Sequence, residues 1–135
     1  MTDHFVTWFA RWSLFTVYFW FGILKVFDVS PANPLVSALL ERTLPFVTFE
    51  QFIVVLGLFE MVIGVLFLVP KLQKGALALF GAHLIMITAP FVLLPAIAWQ
   101  HWFVPTLEGQ YMIKNILMVA LVLTLVNSSA KTSPT

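Results

Sequence analysis

Residues 53–69 read IVVLGLFEMVIGVLFLV, an apolar run with a single carboxylate, Glu60, close to its centre. The other sixteen residues of the run are apolar or glycine. A transmembrane helix needs about 20 predominantly apolar residues to cross roughly 30 Å of hydrocarbon. The run therefore predicts a membrane-spanning helix that carries Glu60 near the midplane of the bilayer.

The composition of the whole chain also predicts a membrane protein. Of its 135 residues, 61% are hydrophobic and 10% are charged, whereas soluble domains are about 45–50% apolar and about 25% charged. A soluble domain of this length cannot bury so much apolar side chain, so the lipid bilayer is the expected solvent. The length suits a single domain, 1–135.

Composition also excludes several classes of function. A net charge of +1 provides no basic face for nucleic acid. The chain has no cysteine, which excludes disulfides, thiolate nucleophiles and Cys-ligated metal sites. His83 is the one histidine at membrane depth, so a haem held by two histidines of one chain is not expected. With Glu60 as the one inner carboxylate, we predict no metal site, and no motif predicts catalytic residues.

Four long apolar runs predict an all-α membrane protein, a bundle of four transmembrane helices. Only residues 70–73 separate the second run from the third, which makes these two helices antiparallel neighbours. Residues 34–47 alternate apolar and polar side chains and are too short to span, which predicts a short interfacial amphipathic helix between helices 1 and 2. The predicted spans are about 5–27, 49–69, 74–98 and 110–127.

The two ends of the predicted bundle differ in sequence. Four spans place both termini on one side together with Lys71, Lys74 and Lys131, so the positive-inside rule favours cytoplasmic termini. At the opposite end, Pro90 and Pro95 predict a bend in the third helix, because proline cannot donate a helical hydrogen bond. An interfacial aromatic belt is predicted there from Trp99, Trp102, Phe103 and Tyr111.

Two ionisable residues are predicted at similar depth in neighbouring helices. Glu60 lies about eleven residues from the outer end of the second span and His83 about nine from the inner end of the third, so contact between them is geometrically feasible. Gly57 and Gly64 flank Glu60 on the same helical face. Small residues let another helix approach closely, so we expect a helix–helix contact at Glu60.

Further polar residues of the first and fourth spans are candidates for the same interior. Arg11 and Lys114 are predicted to lie within reach of Glu60, with Lys25 and Asn115 nearer the outer mouth. Alternatives remain open for each: Lys25 and Lys114 can snorkel to the headgroups, and His83 can serve as an interhelical hydrogen bond rather than a proton relay. Glu60 can form a structural pair with Arg11 or Lys114, or belong to a functional site.

Three motifs in order resemble the DoxX-like superfamily of four-helix bacterial inner-membrane proteins. They are FGILKVFD (21–28), LGLFEMVIGVLFLV (56–69) and MIKNILMVALVL (112–123). The stretches VSPANPL (29–35) and ITAPFVLL (87–94) are similar to the YkgB-like branch of that superfamily. The resemblance covers nearly the whole chain, although the long insertion of some YkgB-like proteins after the first helix is absent.

The resemblance implies a location in the bacterial inner membrane and a link to membrane redox or oxidative-stress systems. Its namesake is similar to a small subunit of a thiosulfate- or quinol-linked oxidoreductase. By resemblance, Lys25, Glu60, Lys114 and Asn115 are the positions to carry over, with His83 added from its depth. Together these five form the predicted quinone-binding or polar-core site.

Three functions follow as hypotheses. The first is an accessory subunit of a quinone-linked redox or oxidative-stress system, with a membrane or peripheral oxidoreductase as partner and quinone as the one cofactor considered. The second is a small solute or proton pathway, and the third is a structural or assembly protein, with a homo-oligomer as a further option. Whether the chain is an enzyme stays open, but a complete enzyme by itself is not expected.

Overall fold

The computed structural model describes residues 3–131, and the side chains of residues 4–129. Residues 1–2 and 132–135 of the predicted domain lie outside the described residues, as does the side chain of Lys131. Most of the described chain is helical. In chain order the elements are α1 (Asp3–Val26), α2 (Asn33–Thr43), α3 (Phe49–Leu68), a 3-10 turn (Pro70–Leu72), α4 (Gln73–Thr88), α5 (Pro90–Leu93), α6 (Pro95–Ala98), β1 (Trp99–His101), β2 (Val104–Pro105) and α7 (Leu107–Lys131).

Three helical stretches among the described residues are long and apolar enough to cross a membrane: Phe49–Leu68, Pro70–Leu93 and Leu107–Ser129. They are compatible with a multi-pass membrane protein. Helix α1 is 24 residues long but is not one of the three. The charged residues Arg11 and Lys25 lower its hydropathy, and its three Trp and one Tyr lower it further relative to an aliphatic helix.

Helices α1 and α3 run antiparallel and approach most closely at a pair of glycines. A Cβ atom added to Gly22 would lie 2.5 Å from the carbonyl oxygen of Gly57, and one added to Gly57 would lie 2.5 Å from that of Gly22. At Gly64 an added Cβ would meet the carbonyl oxygen of Phe15 at 3.2 Å. The expectation that another helix packs on Gly57 and Gly64 is confirmed, and that helix is α1.

One apolar core joins the four long helices α1, α3, α4 and α7. Its side chains interdigitate between the helices and are buried from solvent. Tyr18 and Phe67 each pack edge-to-face on Phe80, with ring centroids 6.1 Å apart in both pairs. The buried members are Ala10, Leu14, Tyr18, Ile63, Phe67, Ala76, Phe80, Val122 and Leu125.

The third predicted span, 74–98, is not one helix. Helix α4 ends at Thr88, and Pro90 and Pro95 each begin a new four-residue helix. Proline is favoured in the first turn of a helix, where its missing N–H costs nothing. The predicted bend is therefore realised as two breaks in the helix.

A β-hairpin follows, which the sequence analysis did not predict. Strands β1 and β2 pair antiparallel, with Trp99 opposite Pro105 and His101 opposite Val104. At the turn, Phe103 adopts a positive φ of 56°. The side chains of Trp102 and Phe103 are 89% and 85% exposed.

Helix α2 covers most of the segment predicted to be amphipathic. It ends at Thr43, four residues before the predicted boundary at 47. Leu40 is buried, whereas Glu41 and Arg42 are exposed.

Candidate functional site

The central polar contact of the bundle joins Lys25 of α1 to Glu60 of α3. Lys25 Nζ lies 2.7 Å from Glu60 Oε2, and each residue is 5% exposed. Lys25 follows Gly22 by three residues, and Glu60 follows Gly57 by three, so each lies on the same face as its glycine. The close approach of the two glycines therefore brings the ammonium group onto the carboxylate.

The second oxygen of the same carboxylate contacts α4. His83 Nε2 lies 2.9 Å from Glu60 Oε1, and His83 is 5% exposed. The tight turn between α3 and α4 makes these helices antiparallel neighbours, which sets the two residues at the same depth. Glu60 thus has one partner on each carboxylate oxygen.

A fourth residue, Tyr18 of α1, extends the contacts beyond the histidine. The Tyr18 hydroxyl lies 3.1 Å from His83 Nδ1, and Tyr18 is 6% exposed. The chain of hydrogen bonds therefore runs from Tyr18 through His83 and Glu60 to Lys25. These four residues are named the Glu60 network.

Electrostatics explain why the polar groups of the Glu60 network are paired. A single charged side chain at the centre of a bilayer costs at least about 2.5 kcal/mol on insertion scales. Here the charges of Lys25 and Glu60 cancel at hydrogen-bond distance, and His83 satisfies the remaining carboxylate oxygen. Removing one partner of such a buried pair typically costs about 3–5 kcal/mol, because it leaves the other charge uncompensated.

Three of the five predicted site residues, Lys25, Glu60 and His83, come together in the network. Lys114 and Asn115 do not join it. Lys114 is exposed, with Nζ 4.9 Å from the centre of the Tyr111 ring. Asn115 is half-buried. Neither residue has a side-chain hydrogen bond to the network in the part of the chain that the structure describes.

The prediction that Lys114 reaches the bundle interior is therefore wrong. The buried residues of α7 nearest to Lys114 are Gly109 and Met112. Lys114 is two residues from Met112, a rotation of roughly 200° around the helix. Depth alone placed Lys114 near Glu60, but its direction around α7 takes it to the opposite face.

The prediction that Arg11 reaches Glu60 is also wrong. Arg11 is 2% exposed and donates to the carbonyl oxygen of Phe67 at 2.8 Å and to the side-chain oxygen of Gln73. Ser129 Oγ donates to the same Gln73 oxygen at 3.0 Å. Arg11, Gln73, Ser129 and the Phe67 carbonyl are named the Arg11 cluster.

The end of helix α3 explains the choice of partner for Arg11. Helix α3 ends at Leu68, so the Phe67 carbonyl is one of the last four, which have no helical donor. The negative end of the helix dipole also favours a cation there. Glu60 and Phe67 are seven residues apart, about 10 Å along the axis, so Arg11 belongs to a separate layer of the bundle.

Tyr18 is the network residue that the sequence analysis missed. A signal for it exists, because Arg11, Tyr18 and Lys25 recur at intervals of seven residues in α1. Two helical turns separate each pair, so all three lie close to one face. The repeat predicts a polar stripe among apolar neighbours, and all three residues are in fact buried.

The described residues include no group of three or more His, Asp or Glu side chains able to hold a metal ion. Two of the concave regions among the described residues are not lined by any residue of the Glu60 network. One, of about 320 Å³, lies between α1 and α7, and the other, of about 470 Å³, is formed by Trp99 to Phe103 of the hairpin.

Comparison of the chain with protein-family models, with curated proteins and with solved structures found no match.

Proposed function

We propose that the protein is a multi-pass protein of the bacterial inner membrane, of DoxX-like type, and an accessory subunit of a quinone-linked redox or oxidative-stress system. In this proposal α1, α3, α4 to α6, and α7 are the four spans. Helix α2 lies at the membrane interface, and both termini are cytoplasmic. Three apolar stretches and the core shared by four long helices support this arrangement.

The observation that carries the functional proposal is the Glu60 carboxylate, held deep in an apolar bundle by Lys25 and His83. Reduction of a quinone takes up protons, so the protein partner needs groups that pass protons by hydrogen-bond contact. Carboxylate and imidazole at 2.9 Å form such a pair. Ionisable groups inside membrane segments are candidates for function by default, because they are costly to retain.

The donors for the quinone headgroup are assigned to α7 in this proposal. Lys114 and Asn115 can donate to carbonyl oxygens, and exposed apolar residues of the same helix, such as Ile116 and Leu117, can contact the tail. The Glu60 network would supply protons from the bundle interior through intervening water, because Lys114 and Asn115 do not contact it. Electrons would come from a partner oxidoreductase, because the predicted chemistry of the chain includes no redox centre.

Binding of a quinone analogue to the purified protein tests the proposal. Wild-type protein should bind saturably, and Lys114→Gln combined with Asn115→Ala should weaken binding about tenfold or more, the loss of a hydrogen bond to a charged group. Glu50→Gln is the matched control, because Glu50 is an exposed carboxylate of the same helix as Glu60. No saturable binding to the wild type would overturn the assignment of a quinone site to this chain.

The role of Glu60 needs its own variant. Glu60→Gln keeps the size of the side chain and removes its charge. If Glu60 belongs to the site, Glu60→Gln should weaken binding or abolish its pH dependence while Glu50→Gln does neither. Unchanged binding in a folded Glu60→Gln protein removes the network from the quinone site.

A search for the partner is the complementary experiment. Gentle detergent extraction followed by mass spectrometry should recover an oxidoreductase or bound quinone with the wild-type protein. Recovery of only further copies of the chain would favour a homo-oligomer without a redox partner.

The polar groups of the Glu60 network already bond to one another, which favours a second candidate, a structural or assembly protein. All four side chains are buried, and both oxygens of Glu60 already have partners. A network of this kind can serve helix pairing alone. In that case Glu60→Gln lowers stability but leaves the function of any partner complex intact once the variant is folded.

A further inference from the structure

The position of the ring proton on His83 follows from its two neighbours. A neutral imidazole has one N–H donor and one acceptor nitrogen. Nε2 lies 2.9 Å from the Glu60 carboxylate, which can only accept when it is ionised beside Lys25. An unprotonated Nε2 would direct its lone pair at that oxygen, a repulsive contact. Nε2 therefore carries a proton and donates a hydrogen bond to Glu60.

Tyr18 determines whether the other ring nitrogen, Nδ1, carries a proton. The Tyr18 hydroxyl is buried, and Nδ1 at 3.1 Å is its only hydrogen-bond partner among the described residues. If Nδ1 carried a proton as well, the hydroxyl proton of Tyr18 would be buried without an acceptor. The network would then also hold two cations against one carboxylate. Both arguments leave Nδ1 as the acceptor.

We infer that Tyr18 is a positioning residue of the Glu60 network, whose hydroxyl donates to Nδ1 and holds His83 as the neutral tautomer with its proton on Nε2. The ring is thereby oriented so that this proton faces Glu60 Oε1. The network of Tyr18, Lys25, Glu60 and His83 carries no net charge in this state. A neutral network suits an apolar bundle, because a net charge buried among membrane segments is costly.

The hydrogen bonds of the network then have defined directions. Tyr18 donates to His83, His83 donates to Glu60, and Lys25 donates to the other carboxylate oxygen. Any further proton that reaches His83 must bind Nδ1, which requires the Tyr18 hydroxyl to turn away. The consequence for proton transfer rests on the proposed function, whereas the tautomer itself does not.

Nitrogen NMR of the histidine ring tests the tautomer. The chain has three histidines, so His4→Gln and His101→Gln leave His83 as the single labelled ring. The expected spectrum of the full-length protein has a protonated Nε2 and an unprotonated, hydrogen-bonded Nδ1. A proton on Nδ1, alone or together with one on Nε2, would overturn the inference.

Tyr18→Phe tests the positioning role, because it keeps the ring against Phe80 and removes the hydroxyl. The Nδ1 resonance should move downfield, towards the value of a nitrogen without a donor, while Nε2 stays protonated. Tyr111→Phe is the matched control, since the chain has two tyrosines and Tyr111 is 59% exposed. An equal Nδ1 position in wild type and Tyr18→Phe would contradict the assignment.

If Tyr18→Phe does not fold, fluorotyrosine incorporated into the Tyr111→Phe protein supplies a second measurement. Its more acidic hydroxyl is a stronger donor and should move Nδ1 upfield, opposite to the loss of the hydroxyl. No movement would overturn the role of Tyr18. Failure of quinone binding would leave these spectra unaffected, so the inference and the proposed function can fail separately.

Discussion

The Glu60 network and the Arg11 cluster both bury a cation in an apolar bundle, but the cation of the first has a charged partner and that of the second has neutral hydrogen-bond acceptors. Lys25 lies against the carboxylate of Glu60 at 2.7 Å. Arg11 has a backbone carbonyl and the amide oxygen of Gln73. The first arrangement combines a carboxylate, an imidazole and a phenol, which are groups able to exchange protons. The second has no carboxylate and ties helix ends together.

This difference separates a site that can perform chemistry from one that can only hold the bundle. Arg11 bridges the end of α3 to the start of α4, and Ser129 of α7 shares the same Gln73 oxygen. A guanidinium group is always charged, so it does not pass protons. We therefore assign the proposed function to the Glu60 network and expect the Arg11 cluster to contribute stability.

The largest effect should come from Lys25→Met, which leaves the Glu60 carboxylate buried without its counter-charge. We expect the free energy of unfolding in mixed micelles to fall by about 3–5 kcal/mol. The double variant Lys25→Met with Glu60→Gln should recover part of this loss. Lys74→Met is the control, because Lys74 is exposed. A loss below about 1 kcal/mol, as for a surface pair, would show that the network is not closed to water.

Arg11→Met should cost less, because it leaves no opposite charge behind. The Phe67 carbonyl loses its donor, and the expected loss in the free energy of unfolding is about 1.5–3 kcal/mol, the value of a hydrogen bond to a charged group. The same micelle titration measures it. A larger loss than for Lys25→Met would reverse the comparison between the two regions.

Gly22→Ala should disturb the Glu60 network through the packing of α1 on α3. The added Cβ would lie 2.5 Å from the Gly57 carbonyl oxygen, so α1 and α3 must move apart near Lys25 and Glu60. Overpacking of this kind costs about 1–3 kcal/mol, and the His83 nitrogen spectrum should change. Gly81→Ala is the matched control, since nothing lies within 4 Å of its added Cβ. Equal stability of the two variants would contradict the close approach.

The smallest effect should come from Ser129→Ala at the edge of the Arg11 cluster. Gln73 loses one of its two donors but keeps Arg11, so we expect a loss of about 0.5–1.5 kcal/mol in the free energy of unfolding. Thr124→Ala serves as control, because the Thr124 hydroxyl donates to the Ala120 carbonyl of its own helix. No difference between these two variants would mean that Ser129 adds nothing to the cluster.

Depth was predictable for most of the polar residues. Counting residues along apolar runs placed Glu60 and His83 at one level, and they are in contact. The same counting placed Arg11 and Lys114 within reach of Glu60, where neither is found. Depth follows from helical rise alone, but contact also requires the direction in which each helix turns its side chains. That direction depends on which face packs inward.

Lys25 also shows that position along a helix does not decide which group a side chain contacts. At the end of an apolar helix a lysine commonly snorkels to the headgroups, and the sequence left that option open. The structure buries Lys25, because the glycine contact draws α1 onto α3 at this level. The hairpin at 99–105 was missed for a related reason: its two short strands carry little periodicity and are stabilised by pairing with each other.

The amino-acid sequence alone was sufficient to predict an apolar helical protein with buried ionisable groups and a close helix contact at Gly57 and Gly64. Composition, run length and residue spacing are local properties, and each has a direct physical consequence. The partners of Glu60 and Arg11 were settled only by tertiary packing. A buried charge takes the nearest group that can compensate it, and which group is nearest depends on how whole helices are rotated and paired.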